Sequence, residues 1–466
     1  MNDFAQTYIP LQGKPLPPWF ENLRLNEVCF CRELLAEHPM VCVNGSFFTV
    51  DGRVNGEAAL EKLIYDKLSP WLQTGLSRRV EGLLNVLRAE AYQPDLPIQT
   101  DRIHVANGTL FLDGRFTEEK EYCRNRLPVR YDPEAVCPPD FLRFLDQLLE
   151  PQDVCTLQEF MGYCLLPTTK AQKMLMIVGQ GGEGKSRLGV VMRAIFGKNM
   201  TNGSLAKVET NRFARADLEH VLVMVDDDMQ MEGLPETNYL KLIVTAELPL
   251  DLERKGKQSY QGEVYARFLC FGNGSVKALY DRTHGFFRRQ IILSAKPRDP
   301  SRRDDPDLAE KLTANPEGLF LWALAGLKRL IGQNYQFTLS TQAQENLAAA
   351  ISDGNNVVDF LRATDYVSLF SEAECSTKEL YAAYKLWCED NVLFPLSSYS
   401  FSKHLNENQN AYHIRYTNNI YMQGKRVRGY LGIEPREGGG LLWAAGSRQP
   451  AVGSRQQERN APRSGR

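Results

Sequence analysis

The stretch MLMIVGQGGEGKSRLGVVMRAIFG, Met174–Gly197, leaves the surrounding chain few choices. Five apolar residues read as a buried strand, a glycine-rich turn follows, and an amphipathic helix opens at Lys185. The turn GQGGEGKS satisfies every fixed position of the phosphate-loop pattern G-x-x-x-x-G-K-[ST]. Gly179, Gly181, Gly182 and Gly184, with Gln180 and Glu183 between them, let backbone amides curl around phosphate oxygens with no Cβ in the way. The helix N-terminus adds unpaired donors and the positive end of its dipole. In such a loop Lys185 reaches the β- and γ-phosphates of a nucleotide and Ser186 coordinates Mg²⁺. The competing reading is a glycine-rich turn with an exposed lysine; the strand before and the helix after weigh against it.

At 466 residues the chain has room for about three domains and a self-supporting core. Its 43% hydrophobic and 24% charged residues are those of an ordinary soluble globular protein. A formal net charge of −2 means that any nucleic-acid contact has to come from local basic patches. The N-terminus, MNDFAQTYIPLQGKP, lacks the basic-then-apolar layout of a secretory signal. The longest apolar run, Gly318–Leu327, is too short to span a bilayer and reads as a buried helix, so no membrane is expected. The ten cysteines are scattered, with Cys29 and Cys31 the only close pair, and read as reduced thiols of a cytoplasmic protein.

Residues 1–100 read as a mainly helical region, with apolar positions at helical spacing in GEAALEKLIYDKLSPWLQTGL and RRVEGLLNVLRAEAY. Residues 101–165 read as a linking collar. RIHVANGTLFLDGRF alternates around Asn107-Gly108, with a second turn at Asp113-Gly114, and two helices follow. The α/β core is placed at 166–300. After the loop helix, HVLVMVDDDM is an apolar strand ending in carboxylates, as a phosphate-loop ATPase requires to hold Mg²⁺ through water. Asp226 is assigned to the metal and Asp227 to the attacking water, although three consecutive aspartates, through Asp228, leave the register open.

LDLERKGKQSYQGEVYARFLCFGNG reads as two extended runs around a glycine turn crowded by Arg254, Lys255 and Lys257. Taken alone, those cations are the solvated tip of a hairpin. The next strand ends near Asn273, well placed to polarise water beside a γ-phosphate. In DRTHGFFRRQIIL, paired arginines before an apolar strand are ordinarily surface residues, but because they follow the ATPase set, Arg288 or Arg289 is a candidate to supply a guanidinium to a neighbouring subunit's site. A proline- and charge-rich boundary at 296–314 introduces helices that form a small lid, placed at 301–350.

A last globular piece is placed at 351–435. Ser376 and Glu379 form a capping box, and Leu380, Tyr384 and Trp387 share a helix face. A second helix carries Phe401 and Leu405. Strands then run around Asn418-Asn419, with a basic turn at Gly424-Lys425-Arg426. This is the layout of a winged helix, used either against a duplex or for protein packing. Residues 436–466 read as a disordered basic tail.

The order of these motifs resembles the superfamily 3 helicases, specifically the C-terminal half of phage- and plasmid-type primase proteins, whose relatives include poxvirus-type primase-helicases. HVANGTLFLDG, LQEFMGYCLLP, GQGGEGKS, VDDD, YLKLI, LERKGK, CFGNG and GFFRRQIIL carry the likeness over about residues 100–433. The resemblance implies an AAA+-type phosphate-loop core in a homo-hexameric ring on single-stranded or forked DNA, hydrolysing ATP with Mg²⁺ between subunits of a replication helicase in a bacterial host cell. By motif position Lys185 and Ser186 are the Walker A pair, Asp226 and Asp227 the Walker B acids, Asn273 the sensor and Arg288 the arginine finger, with Arg289 the alternative. Arg254, Lys255 and Lys257 fall at the family's DNA hairpin. Two other readings stay open: an ATP-regulated origin-binding module without unwinding activity, and a primase-helicase with a primase within residues 1–100. A separate primase or initiation partner is expected on the first.

Overall fold

Met174–Val178 (β1) lies inside a sheet of five parallel strands. The others are Met200–Asn202 (β2), Val223–Asp226 (β3), Arg267–Gly272 (β4) and Gln290–Ser294 (β5), in the spatial order β2-β3-β4-β1-β5. The computed structural model describes residues 16–21, 24–72, 74–229, 237–256, 258–273, 284–354, 356–391, 393, 395–422 and 424–436, in two compact units that part between Gly354 and Asn355. Lys257 and the basic tail beyond Arg436 lie outside the described residues.

The apolar runs that predicted strands do so because both faces of this sheet are covered. The pleat of β1 sends Leu175 and Ile177 to one side and Met174 and Met176 to the other. On the first side lie Pro139–Leu148 (α1), Pro151–Tyr163 (α2), Arg187–Phe196 (α3) and Pro316–Gly332 (α4), through Phe144, Phe160, Val191 and Phe320. On the second side Leu240, Ile243 and Phe286 pack with Phe268 of β4.

The run Gly318–Leu327 belongs to α4, which crosses α2 at backbone contact. A Cβ on Gly162 would lie 2.3 Å from the Leu327 nitrogen, and one on Gly326 would lie 2.1 Å from the Gln158 oxygen. Beside that crossing Glu159 is fully buried, accepting from Arg329 at 2.6 Å and from the Thr338 amide at 2.7 Å. Among the described residues no helix is long and apolar enough to cross a membrane.

Residues 16–91 carry the two helices that spacing predicted, Glu57–Leu68 and Leu76–Glu90, and a third, Glu27–Glu37, that it did not, around Trp19, Phe30, Ile64 and Leu87. They also carry an antiparallel sheet of Val41–Val43, Ser46–Thr49 and Gly52–Arg53, which helical spacing did not announce. In the next hairpin Val105 pairs with Gly108, so the turn is Ala106-Asn107 and Gly108 already starts the returning strand.

The second unit runs helix Asn356–Arg362, strand Val367–Ser376, helices Thr377–Asp390 and Ser398–Glu407, a helical turn Gln409–Tyr412, then strands Arg415–Met422 and Lys425–Pro435. The last strand is central in an antiparallel sheet of three. Ser376 and Glu379 form the capping box, and Leu380, Tyr384 and Trp387 pack with Phe360, Phe401 and Leu405. Asn418-Asn419 is no turn: it is an irregularity within one strand, between Thr417 and Ile420.

Candidate functional site

The loop 179–186 leaves β1 at the C-terminal edge of the sheet and enters α3 at Arg187. Gly181, Gly182 and Gly184 adopt φ of 108°, 83° and 100°, the left-handed region that a side chain resists, so three of the four glycines are required by conformation. Parallel β4 brings Gly272 level with Val178, and the Gly179 amide donates to the Gly272 oxygen at 3.0 Å. A cavity of about 570 Å³ opens here, within the size range of small-molecule sites, lined by Lys185, Ser186, Asp227, Asp228 and Asn273 among others.

Inside the loop Lys185 Nζ donates to Glu183 Oε2 at 2.7 Å, with both side chains buried. Glu183 Oε1 accepts the amide of Gly181 at 2.8 Å and that of Gln180. Burial alone would raise the Glu183 pKa; the bonds from Lys185 and the loop amides outweigh it and hold the carboxyl below its ordinary range.

The aspartates divide differently from the sequence-based assignment. Asp226, expected at the metal, is buried and accepts the Leu205 amide through Oδ2 at 2.8 Å; it does not line the cavity, whereas Asp227 and Asp228 do. The physical reason is local: Asp226 is the last paired residue of β3, and its carboxylate is used by the amide that opens the helix Leu205–Thr210. Burial raises its pKa, the Leu205 and Asp228 amides oppose that, and Asp228 and Asp227 add to it.

Two residues escaped sequence reasoning. Arg302 Nη1 donates to the Glu183 oxygen at 2.9 Å, and the Arg298 side chain lies 3.7 Å from where a Cβ on Gly182 would stand. Both line the cavity, and Arg298 is paired with Asp304 at 2.8 Å. They belong to the segment read as a domain boundary. The one signal available was that this basic stretch follows β5, whose end is level with Val178.

Arg288 is exposed and sits before β5, whose first residue pairs with Met174, so it lies at the sheet edge opposite the loop. Lys173 donates to its backbone oxygen there, and burial together with Arg288 and Arg289 lowers the Lys173 pKa. Of the hairpin cations, Lys255 is exposed beside Gly256 (φ 77°) between strands Leu250–Leu252 and Tyr260–Gly262. Arg254 is turned inward instead. Its guanidinium reaches Glu219 Oε2 at 2.8 Å and the Tyr260 hydroxyl at 2.9 Å, and Tyr260 donates to the same Glu219 oxygen at 2.7 Å.

Together these elements define an α/β protein whose parallel sheet carries a lysine-containing glycine loop, two acids and an asparagine on one edge. Residues 177–289 match the model of a family described as "Family of unknown function (DUF5906)", a segment that contains that loop, all three aspartates and Asn273. Among solved structures, the apo C-terminal region of NrS-1 superposes with a TM-score of 0.51 over 87% of this chain and 99% of that one, at 13% identity. The A form of the apo C-terminal region gives a TM-score of 0.47 over 86% and 98%, at 11% identity. At 13% identity the first of these likenesses is one of fold.

Proposed function

We propose that this chain is an ATP-dependent DNA helicase of the superfamily 3 type, acting in replication of a phage, prophage or plasmid, and that it works as a homo-hexameric ring with ATP hydrolysed between subunits. One observation carries the reading: Lys185 and Ser186, Asp227 and Asp228, and Asn273 come from three different strand ends and meet in one cavity. The strand order supports it. Because β1 lies between β4 and β5, its loop opens next to the ends of strands that the chain reaches much later, the usual place for ligands in open parallel sheets.

In this reading the core is an AAA+-type ATPase. Lys185 and the loop amides hold the β- and γ-phosphates. The residues fit a magnesium ion: Ser186 and Asp227 are oxygen donors lining the same cavity, and Mg²⁺ would supply charge neutralisation to the phosphate oxygens. Asp228 and Asn273 orient the attacking water, which moves the acid pair one residue along from the sequence-based assignment. Arg288 cannot serve its own site, since β5 separates them by five residues, roughly 16 Å. It serves the neighbouring copy's site.

The hairpin tip with Lys255 tracks DNA phosphates without reading bases. The second unit is a winged helix; its order of elements and its basic ribbon from Arg415 to Arg428 support that reading. A non-unwinding origin-binding module is the second reading, favoured by the Arg254–Glu219 pair, which takes one of three cations away from the hairpin tip.

Forked-DNA unwinding and phosphate release by the purified chain test the proposal. Both activities are expected in the parent and absent in Lys185→Ala. Near-normal turnover in that variant contradicts the site, and hydrolysis without unwinding selects the origin-binding module.

A further inference from the structure

The curl of the phosphate loop already contains an anion, and it is one of the loop's own side chains. Glu183 is 3% exposed. Its carboxylate takes the Gly181 amide at 2.8 Å, the Gln180 amide and Lys185 Nζ at 2.7 Å. A Cβ on Gly179 would stand 2.6 Å from Glu183 Oε1 and 2.8 Å from Lys185 Nζ, so the carboxylate lies within the concavity and not on its rim. The successive amides of Gln180 and left-handed Gly181, with a lysine, make a nest for any small anion, and a carboxylate satisfies it as a phosphate does. Two anions cannot hold the same donors, because at that separation in a partly dry site their repulsion is large.

The residues around Glu183 are two glycines and two arginines. Gly182 and Gly184 flank it in the backbone, and Arg302 is anchored to its peptide oxygen at 2.9 Å. Arg298 lies over Gly182 on the cavity side.

We propose that Glu183 is an internal competitor for the terminal phosphates of the nucleotide: ligands enter the loop by displacing its carboxylate from Lys185 and the Gln180 and Gly181 amides. The proposal rests on the nucleotide reading of this site. It makes Glu183 the residue that sets discrimination. A ligand with β- and γ-phosphates replaces the carboxylate's bonds in full, whereas a monophosphate, which does not reach Lys185, gains nothing from its departure.

Equilibrium binding of ATP and AMP to the full chain, by titration calorimetry, tests it in the parent, Glu183→Gln and Glu183→Ala. Glu183→Gln keeps an acceptor for the loop amides and removes the charge; Glu183→Ala removes the competitor altogether. ATP is expected to bind about tenfold more tightly or better to both, the scale of one lost charge-assisted hydrogen bond, with AMP affinity unchanged. If the parent binds ATP and both variants bind it equally or more weakly, the competitor role is overturned and the nucleotide site stands. If no form of the chain binds ATP, the site reading falls and takes this inference with it.

Discussion

The Oδ2 of Asp226 lies 2.8 Å from the amide nitrogen of Leu205, and that bond settles which end of the triple aspartate faces the cavity. An acid buried against a helix-opening amide contributes to architecture. In the proposed reading the two acids after it, which line the cavity, carry the chemistry.

Asp227→Asn and Asp228→Asn are therefore expected to lower ATP turnover by about 10²-fold or more with nucleotide binding retained, the usual effect of removing a group that acts on the transferred proton or its water. Asp226→Asn is expected to keep substantial turnover. Its signature is in stability. The folded pKa of Asp226 is raised above its ordinary 3.8, so the stabilisation linked to its proton is fully present below that pH and is lost as pH rises through the folded value. The denaturant midpoint of the parent should thus fall relative to Asp226→Asn as pH climbs from about 4 toward neutrality. A midpoint difference independent of pH, or the largest turnover loss at position 226, reverses the assignment.

Arg254 and Lys255 are neighbours with opposite expectations. Arg254→Ala leaves the Glu219 carboxylate buried with the Tyr260 hydroxyl still donating to it, and should cost about 1–3 kcal/mol of stability, less than a fully buried pair because Arg254 is one-third exposed. Lys255→Ala should leave the melting temperature alone and flatten the salt dependence of single-strand DNA binding by about one counterion. An unchanged salt slope in Lys255→Ala returns the turn to plain surface.

Arg288 lies with Lys173 and Arg289 at the edge of the sheet remote from the loop. Arg288→Ala should keep nucleotide affinity and lose about 10³-fold or more in turnover. Mixing it with Lys185→Ala should restore some activity, because a seam that joins the loop of an Arg288→Ala copy to the arginine of a Lys185→Ala copy has both groups intact. Loss of ATP binding in Arg288→Ala alone would mean that the residue acts on its own site.

The crossing of α2 and α4 has no room for a methyl group on either glycine. Gly162→Ala places a Cβ 2.4 Å from the Ala323 oxygen and should destabilise the first unit by about 1–3 kcal/mol or more in chemical denaturation, the scale of overpacking against backbone. A neutral result would show that the two helices can slide apart.

Much of the site was legible because its parts are contiguous. Eight consecutive residues hold the glycines, Lys185 and Ser186 of the loop, and each requirement is local: a left-handed φ, a strand before, a helix after. The same holds for the Ser376–Glu379 capping box, whose partners are three residues apart, and for the apolar runs of β1 and β3. The small N-terminal sheet was not legible, since its strands are two to four residues long and their pairing partners lie across turns.

What the linear chain determined by itself was therefore the geometry of the glycine loop, the alternation of buried strand and helix, and the identity of the polar residues available to a site. Only the folded molecule decided which of them face the cavity. Arg302 meets Glu183 across 119 positions of chain, and Arg254 is drawn inward by Glu219 across 35. Asp226 is removed from the cavity by an amide 21 positions earlier. Pattern and propensity act over a turn of helix or a pair of strands, whereas the destination of a long charged side chain is set by whichever opposite charge, carbonyl or amide the packing brings within about 3 Å of it.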